Sequence, residues 1–218
     1  QIDLGDYKYL SAGAEVVETP QEIYANSDLI VKVKEPQPSE LPLLREDQVL
    51  FTYLHLAPDP AQTEGLVKSG CIAIAYETVT DNFGGLPLLS PMSEVAGRMA
   101  IQAGAHALEL DQGGRGMLLG GVSGVPAARV VIIGGGVVGT NAARIAMGVE
   151  AHVTVLDKSI HRLQNLDSHY GSRINTVFST VDAIEEHVST ADLVIGAVLV
   201  PGGTAPKVVS RELVNRMN

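Results

Sequence analysis

Short apolar runs alternate along the chain with stretches of helical spacing, and that alternation predicts strand and helix in turn. Residues 28–34 (DLIVKVK) form a β-rich run stopped at Glu35-Pro36, because proline pushes the residue before it out of helical geometry. The Pro-rich residues 36–42 follow as a loop. Residues 48–56 (QVLFTYLHL) give a second strand, closed by Ala57-Pro58. Residues 60–69 predict a helix, with proline in its first turn and Gly70 placed to cap its end. A third apolar strand follows over residues 71–76 (CIAIAY). Strand, helix, strand in that order, with apolar strands, implies parallel pairing.

Residues 81–89 are rich in Gly and Pro turn signals, and a domain boundary near them gives a first domain over 1–90 and a second over 91–218. The second is entered through a long helix at 93–110 (SEVAGRMAIQAGAHALEL), with Ser93 as its N-cap. The Gly-rich residues 112–124 must turn tightly or approach something closely. Beyond them come strand 129–133, helix 139–147, strand 152–156 ending in Asp157, helix 159–168, strand 174–178, helix 181–187 and strand 192–197. The series βαβαβαβ is that of a doubly wound parallel sheet. The expected fold class is α/β: two doubly wound parallel-sheet domains with a cleft between them, the second a Rossmann domain.

Composition agrees with that class. The 218 residues suffice for two modest domains, and with no Trp, 3 Phe and 23 Gly the core must be aliphatic, which suits parallel α/β better than a β-sandwich. A formal net charge of −10 argues against nucleic-acid binding, because no stretch supplies the basic face that phosphates require. Cys71 has no partner for an internal disulfide, so a reducing, cytoplasmic location is expected. The opening QIDLGDYKYL lacks a signal peptide's basic start and apolar run, and no apolar run is long enough to span a bilayer. The absence of an initiator Met leads us to expect a fragment or a processed chain.

The strongest chemical signal is Gly134, Gly136 and Gly139, a GxGxxG with a strand before it, a helix after it and Asp157 at the tip of the next strand. Gly134 would allow the tight turn, Gly136 the approach of a pyrophosphate and Gly139 close helix–strand packing. The helix N-terminus offers free N–H groups to phosphate. Asp157 can hold both ribose hydroxyls and would repel a 2′-phosphate, so the expected cofactor is NAD rather than NADP, and no metal is expected. Arg162, which could accept a 2′-phosphate, is outweighed by that carboxylate.

In the first domain, Lys34 ends one strand and His55 lies near the end of the next, where side chains face a ligand crevice in parallel sheets. A cation there can hold a substrate carboxylate, and a histidine can exchange protons near neutral pH. Position alone favours plainer roles, a half-buried core histidine and a snorkelling surface lysine. The remaining histidines (His106, His152, His161, His169 and His187) fit solvated sites, and Cys71 fits an inert core position.

Several strings resemble the alanine dehydrogenase family, in its order and spacing over nearly the whole chain. They are VKVKEP (31–36), LFTYLHLA (50–57), AYETV (75–79), LPLLSPMSEVAGR (86–98), GGRGMLLGGVSGV (113–125), TVLD (154–157) and DLVIGAVLVPG (192–202). The resemblance implies that Lys34 binds the substrate carboxylate and that His55 is the catalytic histidine. It implies that Ser93, Val137, Val138, Asp157, Arg162, Ser179, Val198 and Leu199 contact NAD. The implied reaction is the reversible oxidative deamination of L-alanine, with NAD and water, to pyruvate, ammonium and NADH, in a homo-hexamer. Two further residues of the family, an arginine and an aspartate, have no counterpart: the chain opens after the first and stops before the second, with Asn218 in the helix after residues 192–197. Two other readings stay open. One is the NAD-binding subunit of a proton-translocating transhydrogenase, which shares the architecture; the other is a truncated nucleotide-binding module without catalysis.

Overall fold

The computed structural model describes residues 4–217, so the placing of Asn218 in a helix lies outside the described residues. The chain divides into two compact units, Gln1–Leu88 and Leu89–Asn218.

The first unit opens with two helices that the apolar pattern did not announce, α1 (Asp6–Ser11) and α2 (Pro20–Asn26). Helix α2 has local start signals: Pro20 sits in its first turn, and the Thr19 hydroxyl accepts the Glu22 N–H at 3.4 Å while donating to the Glu22 carboxylate at 2.6 Å. Strands β1 (Leu29–Val31), β2 (Val49–Thr52) and β3 (Ile72–Ala75) form a parallel sheet in that order, with Leu29 level with Val49 and Val49 level with Ile72. Helix α3 (Pro60–Ser69) joins β2 to β3 with the expected bounds. Asp59 caps its start by accepting the Gln62 N–H at 2.9 Å, and Gly70 ends it at φ 69°.

All three strands are shorter than the apolar runs that predicted them, and the reason is where the backbone groups go. Past Val31, the Lys32 side chain turns to Glu40 at 2.5 Å, and the Lys34 carbonyl accepts a hydrogen bond from the buried Thr52 hydroxyl at 2.8 Å. Past Thr52, the N–H groups of Leu54 and His55 donate to the Glu77 carboxylate. Past Thr52 the Glu77 carboxylate has replaced a ladder partner, whereas past Val31 the backbone pairing goes on only in longer bonds, the Lys32 N–H donating to the Phe51 carbonyl at 3.2 Å and the Tyr53 N–H to the Val33 carbonyl at 3.4 Å. Lys34, expected at the end of the first strand, and His55, expected near the end of the second, therefore each lie three residues beyond the strand. Tyr24, Ile30, Leu44, Leu50, Leu54 and Leu66 form the core on one face of this sheet. Leu29, Val31, Ile72 and Ile74 are exposed on the other.

The second unit begins with α4 (Ser90–Ala107), three residues earlier than expected. Ser93 is therefore not the N-cap. Leu89 holds that position, Pro91 is pre-set for the first turn, and the Ser93 N–H already bonds the Leu89 carbonyl at 3.0 Å. Gly113, Gly116, Gly121 and Gly124 all take positive φ in the segment that then reverses the chain.

Strand β4 (Arg129–Ile133), helix α5 (Val137–Gly148), strand β5 (His152–Asp157), helix α6 (Ile160–Tyr170), strand β6 (Ile174–Phe178), helix α7 (Val181–Ser189) and strand β7 (Leu193–Gly196) follow, with α8 (Arg211–Val214) last. The sheet order is β6-β5-β4-β7, all parallel, so the winding reverses at β4. Val130, Val131, Ile132 and Ile133 are 0–3 % exposed because β4 is covered on both faces. Val130 and Ile132 pack with Ala142, Ala143 and Ala146 of α5, whereas Val131 and Ile133 pack with Ile184 and Val188 of α7. Among the described residues, no helix is long and apolar enough to cross a membrane.

Candidate functional site

The glycine turn between β4 and α5 shows two steric demands, at Gly134 and Gly139, and open space at Gly136. Gly134 sits at φ 106°, donates its N–H to the Leu156 carbonyl at 2.7 Å, and would bring a Cβ within 2.5 Å of the Ala197 carbonyl oxygen. At Gly139 a Cβ would collide with the Gly134 carbonyl oxygen, so helix and strand approach only because no side chain intervenes. Gly136 is different: it is the N-cap of α5, its backbone is extended, and nothing lies within 4 Å of where its Cβ would be. Open space in front of an uncapped twelve-residue helix N-terminus fits the pyrophosphate of a dinucleotide. Helix α5 starts at Val137 rather than Gly139, which places Val137 and Val138 in its first turn.

The carboxyl ends of the neighbouring strands surround this turn. Half-buried Asp157, the last residue of β5, accepts the Gly135 N–H at 2.6 Å through one oxygen and the Ser159 N–H at 2.7 Å through the other. Its carboxylate is thus tied to the glycine turn itself. Arg162 is exposed on α6, with its Cγ 3.1 Å from the Cβ position of Gly135. Ser179 is buried just past β6 and donates its N–H to the Asp157 carbonyl at 3.0 Å. Val198, whose nitrogen lies 3.1 Å from the Cβ position of Gly134, is half-buried, and Leu199 beside it is exposed. Ser93 stands apart in the first turn of α4. It lies one helical turn before Gly97, whose Cβ would overlap the Val138 carbonyl oxygen, and so shares the helix face that packs on α5.

In the first unit, Lys34 and His55 leave the carboxyl ends of adjacent parallel strands. Lys34 is exposed, and its ammonium makes no ion pair among the described residues, in contrast to Lys32, which is committed to Glu40. His55 is also exposed, so a half-buried core histidine is not what the structure contains. Its ring stacks on Tyr53, with centroids 5.8 Å apart and an interplanar angle of 9°. Tyr53 in turn meets Tyr76 edge-on at 5.0 Å and donates its hydroxyl to the Leu88 carbonyl.

Burial pushes the Glu40 carboxyl up, but the Lys32 ammonium and the Gln37 N–H outweigh it, so Glu40 ends below the usual carboxylate range. Burial, together with the nearby Glu40 charge, pushes Tyr24 up to about 12.

Three residues that sequence reasoning did not single out shape this region: Thr52, Tyr53 and Glu77. Glu77 had a signal, an acidic residue just past an apolar parallel strand, much as Asp157 ends β5. Elsewhere, His106 pairs with Glu109 at 3.1 Å, and half-buried Cys71 packs against the first unit's core. Among the described residues, no group of three or more His, Cys, Asp or Glu side chains could hold a metal. A surface hollow of about 380 Å³ lined by Arg129, His152, Glu186 and His187 opens at the amino ends of β4 and β5. That is the end of a parallel sheet away from the ligand crevice.

Comparison with known proteins gives a consistent picture. Residues 100–218 match the family model described as alanine dehydrogenase/PNT, C-terminal domain, and residues 1–96 match its N-terminal counterpart. The chain is 58 % identical over 212 residues to an alanine dehydrogenase of Halomonas elongata, covering 97 % of this chain and 57 % of that protein. A solved L-alanine dehydrogenase superposes with a TM-score of 0.85 at 50 % identity, over 99 % of this chain and 60 % of that one. A transhydrogenase from Sinorhizobium meliloti superposes at 0.75 with 24 % identity, over 99 % of this chain and 63 % of that one, which shows a shared fold. The chain thus spans just over half the length of the curated relatives it matches.

Proposed function

The chain belongs to the alanine dehydrogenase/PNT family, and on that premise we propose that its protein catalyses the NAD-dependent, reversible oxidative deamination of L-alanine to pyruvate and ammonium. One observation supports this above the rest: an exposed lysine with no ion pair among the described residues and an exposed histidine leave the carboxyl ends of neighbouring parallel strands in one unit. The sequence identity to proteins named alanine dehydrogenase, 58 % against 24 % for the transhydrogenase, favours this reading over hydride exchange between nicotinamides.

NAD, when bound, supplies the acceptor for the hydride that leaves the alanine Cα. The chain's own residues do the rest. Gly134, Gly136 and Gly139 shape the pyrophosphate cradle, and the first N–H groups of α5 face its charge. Asp157 holds the ribose hydroxyls and sets NAD above NADP. Ser93, Val137, Val138, Arg162, Ser179, Val198 and Leu199 contact the remainder of the cofactor. The Lys34 ammonium pairs with the substrate carboxylate and fixes which face of Cα is presented. His55 accepts the proton of the water that displaces the amino group and returns it in the amination direction. Assembly as a homo-hexamer and residence in the cytoplasm belong to the same proposal. The single cysteine fits a reducing compartment, and the charge of −10 suits small-molecule partners rather than nucleic acid.

Consumption of NADH with pyruvate and ammonium, natural protein against His55→Ala, tests this. Loss of a general acid/base step should slow turnover ~10²–10⁴-fold with NADH affinity unchanged. Near-normal turnover in the variant would remove His55 from the chemistry.

A further inference from the structure

We infer that Glu77 is a positioning residue for His55, its carboxylate fixing the backbone from which the imidazole projects. This rests on the proposed role of His55. Three observations lead to it. First, His55 has φ 48°, in the left-handed region, which few non-glycine residues occupy and which the surrounding contacts must offset.

Second, the peptide unit entering His55 is held from both sides. Its N–H donates to the Glu77 Oε1 at 2.6 Å, and its carbonyl, that of Leu54, accepts from the buried Gln62 amide at 2.5 Å. The preceding N–H, of Leu54, donates to both Glu77 oxygens, at 3.1 and 3.2 Å. An ionised carboxylate is a strong acceptor for two such donors, and Leu54 itself is 2 % exposed in the core. Third, no backbone acceptor replaces Glu77: these N–H groups lie past the end of β2, where the ladder to β3 has stopped at Thr52–Ala75.

Glu77 is half-buried in the turn directly after β3, so it carries the position of one strand end across to the loop of the next. The Tyr53 ring then supports the imidazole from one side at 5.8 Å. Without the carboxylate, the left-handed turn at His55 has no partner for two N–H groups and relaxes, and the ring leaves the substrate's reach. A displacement of about 1 Å costs up to ~100-fold in rate.

The test is a cycle of Glu77→Gln, His55→Ala and the double variant in the natural protein, reading turnover, NADH affinity and thermal melting. Glu77→Gln, whose amide offers a single neutral oxygen, should lower kcat by about 10–100-fold with NADH affinity unchanged. In the His55→Ala background the same change should cost less than about twofold, because a residue acting through His55 has nothing left to position. Glu77→Asp, which restores the charge, should recover part of kcat. It replaces Glu77→Gln in the cycle if that variant does not fold. Wild-type turnover in Glu77→Gln, or an equal loss with and without His55, overturns the assignment. Normal turnover in His55→Ala is a separate outcome: it refutes the role of His55, and the positioning role with it.

Discussion

Substituting alanine at Gly136 and at Gly139 should separate cofactor binding from folding within one four-residue stretch. At Gly136 the backbone has φ −70° and ψ −160°, which alanine adopts freely, and no atom lies within 4 Å of the new methyl. Alanine is a poorer N-cap than glycine by ~0.5–1 kcal/mol, but it also restricts the unfolded chain by ~0.4–1 kcal/mol. The two terms nearly cancel, so Tm should move by less than ~2 °C. Binding is another matter, because the methyl fills the space assigned to the pyrophosphate. Overpacking of ~1–3 kcal/mol corresponds to roughly five- to 150-fold weaker NADH binding. At Gly139 the order reverses. The methyl meets the Gly134 carbonyl, backbone that cannot rotate away, and lies 3.2 Å from the Ile132 Cγ2. Helix α5 must withdraw from β4 at ~1–3 kcal/mol or more, lowering Tm by ~2–12 °C. Thermal melting without cofactor and fluorescence titration with NADH read the two effects apart. If Gly136→Ala binds NADH as tightly as wild type, the open space before α5 is not the phosphate site.

Replacing Asp157 with Ser should weaken NAD binding and narrow the preference over NADP. It should also lower stability by a few kcal/mol at most, because the Gly135 and Ser159 N–H groups lose a charged acceptor; equal affinity of the wild type for both cofactors would contradict the ribose role. Lys34→Met keeps most of the exposed stem and deletes the ammonium, so pyruvate should bind the NADH complex roughly ten- to 100-fold more weakly, from ~1.5–3 kcal/mol of lost charge-assisted bonding, with cofactor affinity unchanged. Unaltered pyruvate affinity would return Lys34 to the surface. The folded pKa of Tyr24 stands above its unfolded value of 10.0, so its neutral form contributes stability that is complete below pH 10 and is lost as the pH rises towards about 12. Denaturant melts of wild type and Tyr24→Phe should therefore diverge only above pH 10, and identical alkaline profiles would contradict the burial of that phenol.

Elements with their own start and stop signals were legible in the sequence. Helix α3 has Asp59 and Pro60 at one end and Gly70 at the other, and its bounds agree with those expected; so do those of β4 and β6, apolar runs bounded by turn signals. Of the three glycines of the motif, the structure shows the tight turn at Gly134 and the close helix–strand approach at Gly139, and leaves open space at Gly136. What the sequence obscured depends on contacts distant along the chain. An apolar run says where a strand can form, not where its partner stops, so DLIVKVK and QVLFTYLHL looked longer than β1 and β2. The Thr52 bond to Lys34 and the Glu77 bond to His55 cross 18 and 22 residues, respectively, and no local pattern encodes them. Helix α4 was misplaced for a local reason: Ser93 looked like a cap, whereas Pro91, two residues before it, was the stronger start signal.

The central claim, alanine-linked hydride transfer to NAD, is tested most directly by following NADH formation in the natural protein at alkaline pH with alanine as the only donor. The account predicts that NADH, pyruvate and ammonium appear in equal amounts, that NADP supports far less turnover, and that omitting alanine abolishes the signal. Reduction of an oxidised nicotinamide by a second, reduced nicotinamide, with no pyruvate or ammonium formed, would contradict it.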